Sequence, residues 1–357
     1  MTITTASNAA KRYLQSAAHS LGAADPIQLR EVSSALEDAL PLPVGDTAYR
    51  RQPPLVSSFA EERSGHLDFV MNPLGPYASA TDRTLAAAKT MEDIVGHHFR
   101  GDALRWLKGQ LEPVIAHGRT VRWGAQLGTS FDRNGVRESM VTYEWGPDLM
   151  DAFPEMLYRL SRVALDTVPG LRPAYSSIRC GRTSGSQQVT FAVDTPLSLN
   201  GLRPLMDAVG LGDKHAGLMS AVAFVLGARF TLPPSSCAIT LRPLRGGCEL
   251  RLDVNLESIP DLPPQLMSLL RLQMAERPQS LRSMDSWLVA MTPEGYENPG
   301  TLSILSFSVR PDMPARINLH IRPPVLEQQP GEAPPATVVA DGSAMPASAS
   351  AIYAYGR

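Results

Sequence analysis

Three cysteines in 357 residues, Cys180, Cys237 and Cys248, are too few and too irregularly spaced for a disulfide scaffold or a zinc site. They read as small buried thiols in a reducing compartment. His97-His98 also lacks metal-ligand spacing. There is no Asp-Asp pair and no Asp-rich stretch of the kind that gathers several Mg²⁺ ions. No dinucleotide fingerprint and no nucleophile elbow appears. No apolar run approaches the length of a membrane span, and Met1 to Arg12 lacks the apolar core of a signal peptide. Net charge is only −2 and charged residues make up 19%, so no basic field calls for nucleic acid. The expectation is a soluble cytoplasmic protein, without membrane insertion or a nucleic-acid partner, and a monomer.

The 43% of hydrophobic residues is enough for a real core. Its distribution is the main signal. From 248 to 256, Leu250, Leu252, Val254 and Leu256 alternate with Glu249, Arg251, Asp253 and Asn255. From 316 to 322, Ile317, Leu319 and Ile321 alternate with Arg316, Asn318, His320 and Arg322. Strand side chains alternate between faces, so each stretch has one apolar face and one hydrophilic, often cationic face.

The remaining pattern is helix, then strand pair, repeated. Helices are expected at 7–22, with Ser7 or Asn8 as cap, and from Asp25-Pro26 to about Ala39. Residues 41–64 read as loop, with a short strand from His66 to Met71. Helices at 82–98 and 102–116 precede a hairpin of 120–131 and 136–145 around Asn134-Gly135. A helix at 148–167 leads to strands at 174–180 and 187–193, joined by Gly181-Arg182-Thr183-Ser184-Gly185. That glycine-bounded stretch bridges two strands and opens no helix, so it reads as a turn and not as a phosphate loop. Helices at 199–209 and 214–226, strands at 237–244 and 247–256, helices at 262–276 and 280–291, and strands at 302–310 and 315–322 complete the series. Residues 323–350, rich in Pro, Ala, Ser and Gly, read as a disordered or loosely attached tail. The expected division is a helical segment 1–64 packing on a barrel, a barrel domain 65–323, and a flexible tail 324–357. Four hairpins plus the strand near 68 give nine or ten strands, enough to close an α+β barrel wide enough for ligands, with helices outside and the arginines inside.

At this point the chain resembles the ABBA-type aromatic prenyltransferases, whose fold is the PT barrel. It is most similar to the bacterial branch that acts on hydroxynaphthalenes and 4-hydroxyphenylpyruvate. His66-Leu67-Asp68-Phe69 with Gly75-Pro76-Tyr77-Ala78 resembles that branch's first strand and following turn. Gln188-Val189-Thr190-Phe191, leading into Leu202 to Leu211, resembles its middle strand and helix. Glu249 to Leu252 and Arg316 to His320 resemble its last two cationic strands. The likeness covers about residues 60–323.

The resemblance implies ionisation of an allylic prenyl diphosphate, attack of the carbocation on an electron-rich aromatic ring, and release of pyrophosphate. It implies Arg251 and Arg316 as diphosphate ligands, with Arg242 standing where the family usually has a tyrosine and Thr190 replacing a diphosphate-binding asparagine. His320 stands where the family has a tyrosine. Two expected lysines are missing, with Val141 and Ser186 in their places, and Arg179 and Arg242 are the candidate replacements. Asp68 falls where some members bind Mg²⁺. No cofactor is obligatory on this reading, and Mg²⁺ is optional.

Chemistry gives each candidate a reason. Arginine donates two parallel hydrogen bonds to phosphate and stays charged when desolvated. Asp253 alone cannot neutralise the set. Tyr175 and Tyr143 are candidates to shield the carbocation with their π faces, and Asp253 and Asn318 to line the substrate. Trp123 reads as core. Asp68, inside an apolar strand, is a candidate to take the ring proton, orient an acceptor N–H or hydroxyl, or hold Mg²⁺ through water. His320 is a candidate base or diphosphate donor. Two rival readings stand: transfer to tryptophan, another indole or a peptide side chain, and a catalytically silent barrel that binds an apolar ligand.

Overall fold

A computed structural model describes residues 5–117, 121–145 and 149–327. The chain opens with helices α1 (Ala6–Leu21), α2 (Arg30–Ala39) and α3 (Thr47–Arg51). Strands β1 (Leu55–Ala60) and β2 (Leu67–Met71) follow, then helices α4 (Ala80–His98) and α5 (Gly101–His117). Next come β3 (Ala125–Asp132), β4 (Gly135–Glu144), α6 (Glu155–Thr167), β5 (Leu171–Gly181) and β6 (Gly185–Val193). The short strands β7 (Leu197–Ser198) and β8 (Thr231–Leu232) bracket α7 (Arg203–Ala208) and α8 (His215–Val225) and pair only with each other. The last part is β9 (Cys237–Leu244), β10 (Gly247–Asn255), α9 (Leu266–Met274), α10 (Pro278–Ala290), β11 (Thr301–Arg310) and β12 (Met313–Arg322).

Ten strands close into a barrel in the order β1-β12-β11-β10-β9-β6-β5-β4-β3-β2, and all neighbours are antiparallel. The α+β barrel with external helices is thus the architecture. Its core lies between sheet and helices, not inside the sheet: Leu250, Leu252 and Val254 of β10, and Ile317, Leu319 and Ile321 of β12, are all buried in it. Helix α4 lies across β3 and β4, α6 across β5, β6 and β9, and α8 across β11 and β12. With each apolar face covered by a helix, the alternate residues must face the lumen.

Residues 41–64 depart from the expected loop. They contain α3 and the barrel strand β1, so the barrel takes in chain before position 65 and His66 to Met71 belongs to its second strand. The alternation in β1 is masked because Ser57 sits on the helix-facing side. It is fully buried and accepts a hydrogen bond from the Tyr13 hydroxyl of α1 at 3.2 Å. The helix expected over 148–167 starts only at Glu155, after a 3₁₀ turn at Leu149–Ala152, because Pro154 disfavours helical geometry at Phe153. Helix α1 is capped by Thr5, not by Ser7 or Asn8. The segment expected to be loose after 323 begins docked: Val325 and Leu326 are buried, and the Leu326 carbonyl accepts from the Gly45 N–H at 3.1 Å. The rest of that expected tail lies outside the described residues.

Gly124 shows how tightly one helix seats on the barrel. Its φ is +95°, and a Cβ there would lie 2.3 Å from the Ala80 carbonyl oxygen at the start of α4. Gly135, at φ +103°, has open space around it. We expect Gly135→Ala to cost about 1 kcal/mol of backbone strain and Gly124→Ala clearly more, roughly 3 kcal/mol, in urea unfolding. Equal midpoints for the two variants would contradict this packing.

Candidate active site

The lumen forms a chamber whose polar lining comes from nearly every strand: Ser58, Asp68, Gln126, Ser130, Glu138, Thr142, Tyr175, Ser177, Arg179, Gln188, Thr190, Arg251, Asn318 and His320, with Arg63 from the loop after β1. Of the residues expected from sequence, Asp68, Arg179, Thr190, Arg251, Tyr175, Asn318 and His320 do converge on one space.

The guanidinium groups there are engaged by acids. The Arg179 Nη1 lies 2.7 Å from Glu138 Oε1. The Arg63 Nη1 lies 3.5 Å from Asp68 and 3.7 Å from Glu138. Arg251 Nε lies 2.8 Å from Asp253 Oδ1, beneath the surface of the chamber. Asp253 also accepts from the Thr240 hydroxyl at 3.3 Å, and Thr240 meets Thr190 at 2.9 Å. Arg242 pairs with Glu249 directly across the β9–β10 ladder. Asp253 alone could not neutralise the arginines, and the structure supplies further acids. Glu138 and Glu249 share that task, as does Glu61 at the rim. An isolated charge is costly to bury, and a fold that places guanidinium groups in a lumen must supply counter-charges.

Four expected residues do not line the chamber: Asp253, which lies beneath Arg251, and three that sit elsewhere. Arg316 and Arg242 are absent from the chamber lining. Arg316 donates to Glu61 at 2.8 Å, and Glu61 also takes Arg277 from the start of α10 and the Ile317 N–H at 3.0 Å. That arrangement ties barrel to helix at the rim. Tyr143 is on the outer face of β4. Its ring lies against Val114 of α5 and the Leu149–Phe153 segment, and burial pushes its phenol pKa well above the ordinary value. On this strand the lumen positions are Glu138, Met140 and Thr142, so Val141 was never a lumen position either. A one-residue slip in register moves every side chain to the other face.

His320 sits between two hydroxyls: Ser58 Oγ is 2.9 Å from Nδ1, and Ser306 Oγ is 3.0 Å from Nε2. Burial pushes its pKa down to about 4, against the pull of Asp253 and Asp68, so the ring is neutral at physiological pH. Asp68 accepts a hydrogen bond from Ser130. Tyr175 packs edge-on to Trp123, with centroids 5.9 Å apart, and both are buried. Trp123 is core, as expected. Glu138 is held below the usual carboxylate range, because Arg179, Arg63, Arg242 and Arg137 together outweigh its desolvation. Arg179 is lowered to about 10, by burial.

Asp68 was a candidate Mg²⁺ ligand. Its two oxygens face Ser130 and Arg63, and among the described residues no group of three His, Cys, Asp or Glu could hold a metal ion. The side chains alone do not build a Mg²⁺ site, and no step is assigned to the ion. Among the described residues no helix is long and apolar enough to cross a membrane.

Arg63, Glu138 and Ser58 were not anticipated. Glu138 was readable: Val141 and Tyr143 mark the apolar face of β4, which turns Glu138, Met140 and Thr142 inward. Arg63 and Ser58 lay in the segment read as loop.

The His320 environment gives a signed pH effect. Its folded pKa is below the unfolded value, so the unfolded chain binds more protons between about pH 6.5 and pH 4. The stability from keeping this ring neutral is complete above that window and is lost as pH falls through it. In urea titrations the wild-type advantage over His320→Gln should shrink by about 1 kcal/mol per pH unit across the window. An advantage independent of pH would mean that His320 titrates normally.

No family model and no curated protein matches this chain. Solved structures do. One is 5-dimethylallyltryptophan synthase from Streptomyces coelicolor, at TM-score 0.69 and 14% identity, covering 92% of this chain and 100% of that one. Another is PriB in a binary complex with product diphosphate, at TM-score 0.67 and 12% identity over 92% and 98% of the two chains. A third is 6-dimethylallyltryptophan synthase from Micromonospora olivasterospora in complex with DMASPP and Trp, at TM-score 0.68 and 13% identity over 92% and 99%. At these identities the likeness is one of architecture, and the chain has the fold of these three structures, the helix-covered ten-stranded PT barrel.

Proposed function

We propose that this chain is an aromatic prenyltransferase. The observation that carries the reading is the gathering of Arg63, Arg179 and Arg251 in one enclosed chamber with a neutral histidine and a buried tyrosine. Guanidinium groups held in a low-dielectric chamber stabilise a departing pyrophosphate more strongly than they would in water. Arg251, positioned by Asp253, and Arg179 are the assigned diphosphate ligands, with the Thr190 hydroxyl beside them. Arg242 and Arg316, each paired with a glutamate outside the chamber lining, would contribute less.

The allylic cation needs π faces and exclusion of water. Tyr175, steadied by Trp123, fits that role; Tyr143 does not. After attack, the arenium ion must lose a proton. It is so acidic that a weak base suffices, so a neutral His320 or the Asp68 carboxylate is competent. Asn318 and Asp68 are placed to orient the acceptor.

An indole acceptor is the favoured form of this reading over the hydroxynaphthalene branch that the sequence suggested. Two of the structures compared above are dimethylallyltryptophan synthases, one of them solved with Trp.

The test is pyrophosphate release from dimethylallyl diphosphate in the presence of tryptophan, a tryptophan-containing peptide or a dihydroxynaphthalene, with products weighed by mass spectrometry. Turnover is expected with at least one acceptor, first with tryptophan. Arg251→Ala should lower kcat/KM by about a hundredfold or more, and Arg242→Ala by about tenfold or less. Unchanged turnover in Arg251→Ala would remove that residue from the site. Tight donor binding without turnover across all acceptors would favour the silent barrel.

A further inference from the structure

We infer that Glu138 is an internal competitor of the diphosphate: its carboxylate occupies Arg63 and Arg179, sets donor affinity, and couples donor binding to uptake of a proton. The inference rests on the prenyl diphosphate reading and deepens it.

Arg63, Arg179 and Arg251 of the chamber and Arg242 at its rim pair with four acids, Asp68, Glu138, Asp253 and Glu249, so this set of eight is formally neutral. The acids differ in what they do. Glu249 meets Arg242 across neighbouring strands, and Asp253 is locked under Arg251 with a second bond from Thr240. Asp68 has Ser130 as a second partner. Glu138 alone among these four lies within 4 Å of two of those guanidinium groups, brought from the loop after β1 and from β5, and it lines the chamber.

A second observation shows that the cations here remain short of acceptors. Among the described residues the buried Nε–H of Arg179 meets no hydrogen-bond acceptor, although its Nη1 holds Glu138. One carboxylate therefore does not saturate this guanidinium, and a larger anion with several oxygens would.

When a diphosphate trianion enters, both guanidinium groups have reason to turn to it, since phosphate oxygens match the planar fork and carry more charge. Glu138 then loses the charges that keep it ionised and stays beside an anion. The groups facing it are Arg179 from β5, Arg63 from the β1–β2 loop, Arg242 from β9 and Arg137 on its own strand, with Asp68 of β2 sharing Arg63. Loss of the first two contacts and gain of a like charge both raise a carboxyl pKa. A proton from solvent then neutralises the displaced carboxylate.

The experiment is calorimetric titration of inorganic pyrophosphate into wild type and Glu138→Gln near neutral pH, in two buffers of different ionisation enthalpy. The amide keeps the side chain's shape and removes its charge. We expect Glu138→Gln to bind about tenfold more tightly or better, and the wild type to take up more protons per bound pyrophosphate than the variant, by roughly half a proton or more. Glu138→Ala, which also removes the charge, must shift affinity in the same direction. A purely structural role for Glu138 would loosen Arg63 and Arg179 and weaken binding. Equal or weaker binding by both variants, or equal proton uptake, overturns the inference and leaves the donor reading intact. Absence of pyrophosphate binding by the wild type and both variants overturns the donor reading, and this inference with it.

Discussion

The chamber depends on the pairing of buried guanidinium and carboxylate groups inside a closed sheet. A guanidinium in a lumen cannot shed its charge as a lysine would, so the fold must compensate it or leave it wet. Arg63, Arg179 and Arg251 each have a carboxylate within 4 Å. Apart from Arg63, which comes from the loop after β1, these partners come from strand positions whose direction is fixed by the pleat. Were the sheet open, the same pairs would sit in high dielectric and contribute little. Closure converts ordinary strand alternation into a strong local field.

Closure in turn depends on the helices. Each apolar strand face needs cover, and the helices between strand pairs supply it. The inside is thereby relieved of the task of burying apolar area. That is why β10 can place Arg251 and Asp253 inward while Leu250, Leu252 and Val254 hold the core. The Arg316–Glu61–Arg277 link extends the same logic to the rim, where an acid after β1 joins the last barrel strand to α10.

Much of this was legible in the sequence, because strict alternation and tight turns leave a clear trace. The hairpins β3–β4, β5–β6, β9–β10 and β11–β12 fell close to their expected places. What was missed has separate physical causes. Ser57 of β1 is polar yet faces a helix, since Tyr13 supplies its partner from far along the chain. A tertiary hydrogen bond of that kind leaves no local periodicity. Tyr143 was misplaced because a tyrosine suits both a lumen and a core, and the resemblance was followed where the neighbouring Val141 marked the outer face. Glu61 lay in the segment read as loop, and for Glu138, although the alternation of β4 turns it inward, no local pattern says which arginine it will meet across a barrel.

The neutral His320 shows how the same enclosure separates roles. It lies near Arg251, Asp253 and Asp68, yet its ring is held by the uncharged hydroxyls of Ser58 and Ser306. Two hydroxyls serve either state of the ring, since each can donate or accept. They fix its orientation without committing it to a charge. A carboxylate in place of either serine would raise the ring's pKa and add a permanent cation to the chamber. The arginines then carry the fixed charge, and the histidine stays available to accept a proton. Under the proposed reading these are the two separate needs of the chemistry: lasting positive charge where pyrophosphate departs, and a weak, uncharged base where an arenium ion is quenched.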